Sequence, residues 1–273
     1  MESSIFLLAV LAHLISDFIL QTEANMKKRI SFKLSKSFYA NILHSFIHFF
    51  IITLSFFLFT MLFYANNFMM FYPLLLAGLL IALSHFIIDQ CKSICIIKEV
   101  MKNKILLFFI DQGLHILMLY TIIHFMVKDT NINAYLAEFN VLILIIIIIL
   151  LATVVTGITI RKIIEQISGD ESQTSLKDNF DDSNEILHIS IQCNEDHLEA
   201  KNGGFWIGIL ERLFIITVVL LNQPMMIGFV LTAKSIARFK KLDDERFAEY
   251  YIIGTLISFM VAIISGYAVL KLL

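Results

Sequence analysis

The chain has 273 residues, 58% of them hydrophobic and 16% charged, with a mean hydropathy of +0.81. A water-soluble domain is roughly one quarter charged, so this composition excludes an ordinary soluble core. A formal charge of −2 gives no basis for a nucleic-acid partner, and the placement of the charges says more than their sum.

Apolar runs occupy about residues 4–20, 38–64, 70–90, 105–127, 135–160, 205–221, 225–240 and 247–271. Several reach the roughly 20 apolar residues that cross a bilayer core as a helix. The expected fold class is all-α: a polytopic transmembrane helical bundle of about eight spans. The first run has no basic leader and no small-residue cleavage site. It also holds His13 and Asp17, so it reads as a retained helix rather than a signal peptide. Val141–Ala152 carries no polar group and reads as a lipid-facing span. Asn222-Gln223-Pro224 is a breaker signal between the sixth and seventh runs; a continuous 205–240 helix would reduce the count to seven.

The basic residues test this arrangement. Lys27, Lys28, Arg29, Lys33 and Lys36 follow the first run, and Lys92, Lys98, Lys102 and Lys104 follow the third. Arg161 and Lys162 follow the fifth, and Lys234, Arg238, Lys240, Lys241 and Arg246 lie near the end of the seventh. Eight spans place every cluster on the cytoplasmic face, with both termini outside, as the positive-inside rule requires. Seven would put the last cluster outside.

Three regions follow: a front membrane bundle over 1–167, an acidic cytoplasmic linker over 168–204, and a back three-helix segment over 205–273. The linker is expected to hold a short strand at Ile186–Gln192 and offers a surface for a protein partner. His188, Cys193 and His197 within it lack a complete four-ligand set and read as a solvated loop. Cys91, Cys95 and Cys193 have no zinc-type spacing and read as reduced residues.

The front bundle carries four i, i+4 pairs: His13 with Asp17, His44 with His48, His85 with Asp89, and Asp111 with His115. Such a pair shares one helix face about 5–6 Å apart, close enough for both side chains to reach one metal ion. With successive helices running in opposite directions, all four pairs fall in the inner half of the membrane. An uncompensated Asp at a helix centre costs roughly 2.5–3.5 kcal/mol, so such residues face the bundle interior and pair with each other, with ions or with water. Together the eight residues supply enough donors for one or two Zn, Mn or Fe ions, with Gln21, Asn41, Gln90 and Gln112 as supporting hydrogen bonders. The competing view is a structural hydrogen-bond network between helices. His124 has no evident partner and reads as interfacial.

In the back half, Trp206 suits an interfacial anchor, and Gly254, Ser258, Ser265 and Gly266 suit close helix packing. Glu211 reads as an ion-pair partner of Lys234 or Arg238. Alternatively Arg212, Lys234 and Arg238 hold a phosphate or lipid headgroup.

Leu11-Ala-His-Leu-Ile-Ser-Asp-Phe-Ile-Leu-Gln21, Asn41-Ile-Leu-His-Ser-Phe-Ile-His48, Ser84-His-Phe-Ile-Ile-Asp89 and Asp111-Gln-Gly-Leu-His115 together resemble the bacterial membrane proteins grouped as domain of unknown function 3307. The resemblance covers about residues 5–125. Gly208-Ile-Leu-Glu-Arg212, Ala233-Lys-Ser-Ile-Ala-Arg-Phe239 and Glu249-Tyr-Tyr-Ile-Ile-Gly-Thr255 are similar to the C-terminal extension of longer members. The resemblance implies a multi-pass protein of the bacterial inner membrane. A more distant similarity to membrane-bound metal-dependent hydrolases adds weight to one function: hydrolysis of a lipid or lipid-linked ester or phosphoester, with Asp17, Asp89 and Asp111 as candidate bases. A divalent-metal or proton transporter, and a non-catalytic scaffold or effector, are the alternatives. Membrane lipids are the expected partners, and an oligomer is compatible with the sequence.

Overall fold

The computed structural model describes residues 2–31, 34–64, 69, 71–98, 100, 101, 103–127, 134–177 and 203–273. Among the described residues ten helices follow one another: α1 (Glu2–Phe18), α2 (Glu23–Arg29), α3 (Leu34–Phe63), α4 (Phe71–Ile97), α5 (Lys104–Met126), α6 (Ala134–Leu150), α7 (Thr156–Lys177), α8 (Gly203–Leu220), α9 (Met226–Arg238) and α10 (Glu245–Leu272). A π-helical segment, Leu151–Val155, joins α6 to α7, and a 3-10 turn, Phe239–Lys241, follows α9. The described residues contain no strand. Ile186–Gln192, His188, Cys193 and His197 lie outside them. The first ten residues of the expected acidic linker, 168–177, are the end of α7.

Six described helices are long and apolar enough to cross a membrane: Ser35–Phe63, Phe71–Ile97, Lys104–Met126, Leu136–Ser168, Gly203–Leu220 and Glu245–Leu272. They mark the chain as a membrane protein. The two remaining apolar runs are also helical but shorter. The 17 residues of α1 are about 26 Å long and the 13 residues of α9 about 20 Å, against a hydrocarbon core of about 30 Å. The expected eight spans therefore correspond to six helices long and apolar enough to cross a membrane and two shorter ones. A continuous 205–240 span does not form. Asn222 takes a left-handed conformation (φ 55°), Gln223 N–H donates to the Val218 carbonyl (2.8 Å), and Asn222 N–H donates to that of Val219 (3.0 Å). This is the paired pattern that closes a helix C-terminus.

The chain divides into two compact units, 1–155 with 271–273, and 156–270. The divisions expected from sequence fall at 167/168 and 204/205; compactness places one at 155/156, within the fifth apolar run.

In the first unit α1 packs against α3, α5 and α6, while α4 lies between α3 and α5. Small residues let the backbones approach: Ala9 and Ala12 of α1 and Ala77 of α4 are essentially fully buried. At Gly78 an added Cβ would lie 3.0 Å from Thr53 Oγ1. Ile5, Ile52, Phe56, Phe59, Ile81, Leu119 and Ile123 complete one core layer. Val141–Ala152 is not wholly lipid-facing, because Ile143 and Ile147 are buried against Leu14 of α1. Large apolar side chains elsewhere point outward, among them Phe46 and Phe125, as a lipid-facing surface requires. Asn103 caps α5 by accepting from Leu106 N–H (2.9 Å).

In the second unit α8 packs on α7 and α9. Gly254 of α10 faces Ile160 and Ile164, and Gly266 faces Val219 so closely that a Cβ would lie 2.9 Å from the valine Cβ.

Candidate metal centre

The i, i+4 spacing places two polar side chains on one face of a helix, and the antiparallel packing of α1, α3, α4 and α5 turns those faces toward each other. Asp17 lies in the last turn of α1. Its Oδ1 is 2.9 Å from His44 Nε2 and 2.9 Å from His48 Nε2, and those two nitrogens are 3.2 Å apart. His85 Nε2 of α4 approaches the same oxygen at 3.7 Å. Four donor atoms from three helices therefore surround a common point. The edges of a tetrahedral zinc site, with bonds of about 2.0–2.1 Å, are about 3.3–3.4 Å long. The observed separations bracket that value, so Asp17, His44, His48 and His85 can hold a metal ion.

A second group adjoins the first. His85, Asp89 and His115 also bring one ligand atom each within 4.8 Å of one another. His85 Nε2 and Asp89 Oδ2 are 3.1 Å apart, yet neither makes a hydrogen bond. His115 Nδ1 donates to the Asp111 carbonyl (2.9 Å), which leaves Nε2 buried and without a hydrogen-bond partner. Fixing the tautomer through the distal nitrogen is how proteins commonly orient a histidine ligand. One atom, His85 Nε2, faces both groups.

The remaining two members of the eight stand outside both groups. His13 is within 3.3 Å of Gln112 Oε1 and 3.8 Å of Asp17 Oδ2, and its ring packs 5.1 Å from that of His115. Asp111 accepts from Lys92 Nζ (2.5 Å) and Gln112 Nε2 (3.2 Å). Of the four amides expected to support the site, Gln112 bonds its side chains directly, Asn41 and Gln21 are linked to it through Arg29, and Gln90 bonds to Asn41. Gln112 donates to Asp17 Oδ2 (3.1 Å), and Asn41 donates to Gln90 (2.9 Å) and Ser93 (3.2 Å). Gln21, oriented by its neighbours, donates to the Asp17 carbonyl (3.1 Å) and accepts from Arg29.

Sequence reasoning missed Arg29 and Lys92 because both belong to basic clusters that the positive-inside rule already explains. Arg29 is buried; its Nε donates to Asn41 Oδ1 (2.7 Å) and its guanidinium pairs with Asp89 Oδ1. The one signal available was its identity, an arginine in a lysine-rich stretch, since arginine suits buried pairing better than lysine. His124 has a partner after all: Glu2 Oε1 lies 2.8 Å from its Nδ1. Cys91 and Cys95 are free thiols.

In the second unit Glu211 pairs with Lys234 (2.8 Å), and Arg212 donates to Ser258 Oγ (3.0 Å). Arg238 takes part in neither contact.

These features define a polytopic helical membrane protein with a buried His/Asp centre able to hold a metal ion. Residues 5–143, just over half of the chain, match the family described as "Protein of unknown function (DUF3307)", and the chain belongs to that family. No curated protein and no solved structure matches it.

Proposed function

We propose that this protein is a metal-dependent hydrolase of the bacterial inner membrane, acting on a lipid or lipid-linked ester or phosphoester. The observation that supports it is a three-ligand group with space beside it. Catalytic zinc sites use three protein ligands and keep one position open. Next to His85 and His115 lies a void of about 10 Å³, also lined by His13 and Ser84, which is about the size that admits one water molecule. A divalent ion such as Zn, Mn or Fe, held there, would supply Lewis acidity and activate water for hydrolysis. His85, Asp89 and His115 would hold it, Arg29 keeps Asp89 in place, and His13, whose ring packs 5.1 Å from that of His115, would take a proton. Asp17 is the most accessible of the carboxylates in the two groups.

The test is twofold: elemental mass spectrometry on detergent-purified protein, then release of product from a panel of phospholipids and lipid-linked diphosphates by metal-loaded protein. Bound metal with hydrolysis abolished in His115→Ala supports the proposal. Bound metal with no product from any lipid class eliminates hydrolysis.

A second function, passage of a divalent ion, is favoured by the sharing of His85 Nε2. One lone pair cannot serve two ions at once, so the two groups can act as alternating stations for a single ion. Metal flux into proteoliposomes, lost in His85→Ala, separates this function from hydrolysis.

A further inference from the structure

The second unit contains a cavity of about 350 Å³ that the His/Asp centre does not use. Its size lies within the range of small-ligand sites. Arg212 of α8 is 3% exposed and reaches the cavity wall, where Nη1 donates to Ser258 Oγ of α10. The room for its guanidinium comes from two glycines. A Cβ at Gly157 would lie 2.9 Å from Arg212 Nη2, and one at Gly208 would lie 3.1 Å from Nη1. Either side chain would push the guanidinium aside.

Two more cations line the same space, each held over an aromatic ring. Arg161 lies 5.4 Å from the centroid of Phe205, and Lys234 lies 5.5 Å from that of Tyr251. Among the lining residues Glu165 is the one carboxylate; Glu211 lies outside the lining and is engaged by Lys234. Tyr251 also lines this space, and its hydroxyl is buried without a hydrogen-bond partner. A buried donor left without an acceptor is destabilising.

Three cations, a serine and an unpaired phenol form a donor-rich wall around a space of modest size. Its chemistry matches a tetrahedral oxyanion, because a guanidinium fork binds phosphate oxygens in pairs. Its location suits one too. Gly204, Phe205 and Gly208 lie in the first turns of α8, and Tyr250 and Tyr251 lie in the second turn of α10. The nearby Lys240, Lys241 and Arg246 put this end on the cytoplasmic side, where anionic headgroups are found.

We propose that this cavity binds a phosphate group, carried either by an anionic phospholipid or by a soluble phosphate. Trp206 is the single tryptophan of the chain and packs against Phe205 at 6.1 Å, so its fluorescence reports on the site. The full-length protein in maltoside detergent is titrated separately with dihexanoyl phosphatidylglycerol, phosphate-free dihexanoylglycerol and potassium phosphate. A saturable signal with phosphatidylglycerol alone supports the proposal with a lipid as ligand. Saturation by potassium phosphate supports it with a soluble ligand. A response to dihexanoylglycerol as strong as to phosphatidylglycerol, or no saturable response to either phosphate compound, overturns it. Arg212→Lys is expected to weaken binding about tenfold by removing the fork while keeping the charge. Arg161→Gln, at an exposed position, provides a variant that does not disturb the buried guanidinium and is also expected to weaken binding. Unchanged affinity in both variants overturns the proposal. Metal content, measured on the same samples, reports independently on the His/Asp centre.

Discussion

Arg29 of the short α2 helix pairs with one carboxylate oxygen of Asp89 on α4, and the other oxygen of that carboxylate faces His85 Nε2 at 3.1 Å. The arginine thus offsets the charge of Asp89 and fixes which oxygen is turned toward the candidate metal.

Removing one partner of a buried ion pair strands the other, at a cost of about 3–5 kcal/mol. Arg29→Met is therefore expected to unfold at distinctly lower denaturant, and Arg29→Met/Asp89→Asn to recover much of the loss. Denaturant titration in mild detergent measures both. Strictly additive effects would show that the two residues are not coupled.

Asp17→Asn keeps the shape of the carboxylate and removes its charge, while His44 and His48 stay in place. One equivalent of transition metal should be retained in this variant, because His85, Asp89 and His115 are untouched, while Asp89→Asn should lower it sharply. Loss of the ion from Asp17→Asn would place it instead in the group that contains Asp17, His44 and His48.

Because His85 Nε2 faces both ligand groups, loading should saturate at one ion per chain. Equilibrium dialysis against Zn²⁺ checks this. A stoichiometry of two would require His85 to serve one group only.

Gly266→Ala should destabilise the second unit by about 1–3 kcal/mol, since its new methyl meets the Cβ of Val219, which cannot rotate away. Gly228→Ala meets no atom within 4 Å and should stabilise α9 by about 0.5–1 kcal/mol. Thermal unfolding of the pair should move in opposite directions; shifts of the same sign would contradict the packing argument.

Asn222→Gly should leave stability nearly unchanged, whereas Asn222→Val should cost about 1–2 kcal/mol, because a left-handed β-branched residue is strained. Equal stability of the two would mean that the α8 C-terminus relaxes when substituted.

The helices and the membrane character were legible because apolar runs of spanning length admit few other structures. The level of the centre was legible from four i, i+4 pairs on successive helices. Which residues meet across helices was not. The sequence treats His13 and His115 alike, but packing places His115 in a ligand group and His13 against Gln112. Asp111 looked equivalent to Asp17 and Asp89 until α4 brought Lys92 within 2.5 Å of it. A basic residue beside a membrane segment satisfies a topology rule and a site equally well, and only three-dimensional contact separates the two.

The placement of Asp17 also sets an order for biogenesis. It enters the membrane on α1, ahead of His44 and His48 on α3 and well ahead of His85 and His115. At about 5–20 residues per second, the first partners follow it by a few seconds and the last by several more. Until α3 follows, the carboxylate has neither His44 nor His48 beside it. Completion of α5 marks the point at which both ligand groups are assembled, and nascent chains cut short before α3 should be recognisable to quality control by that exposed acid.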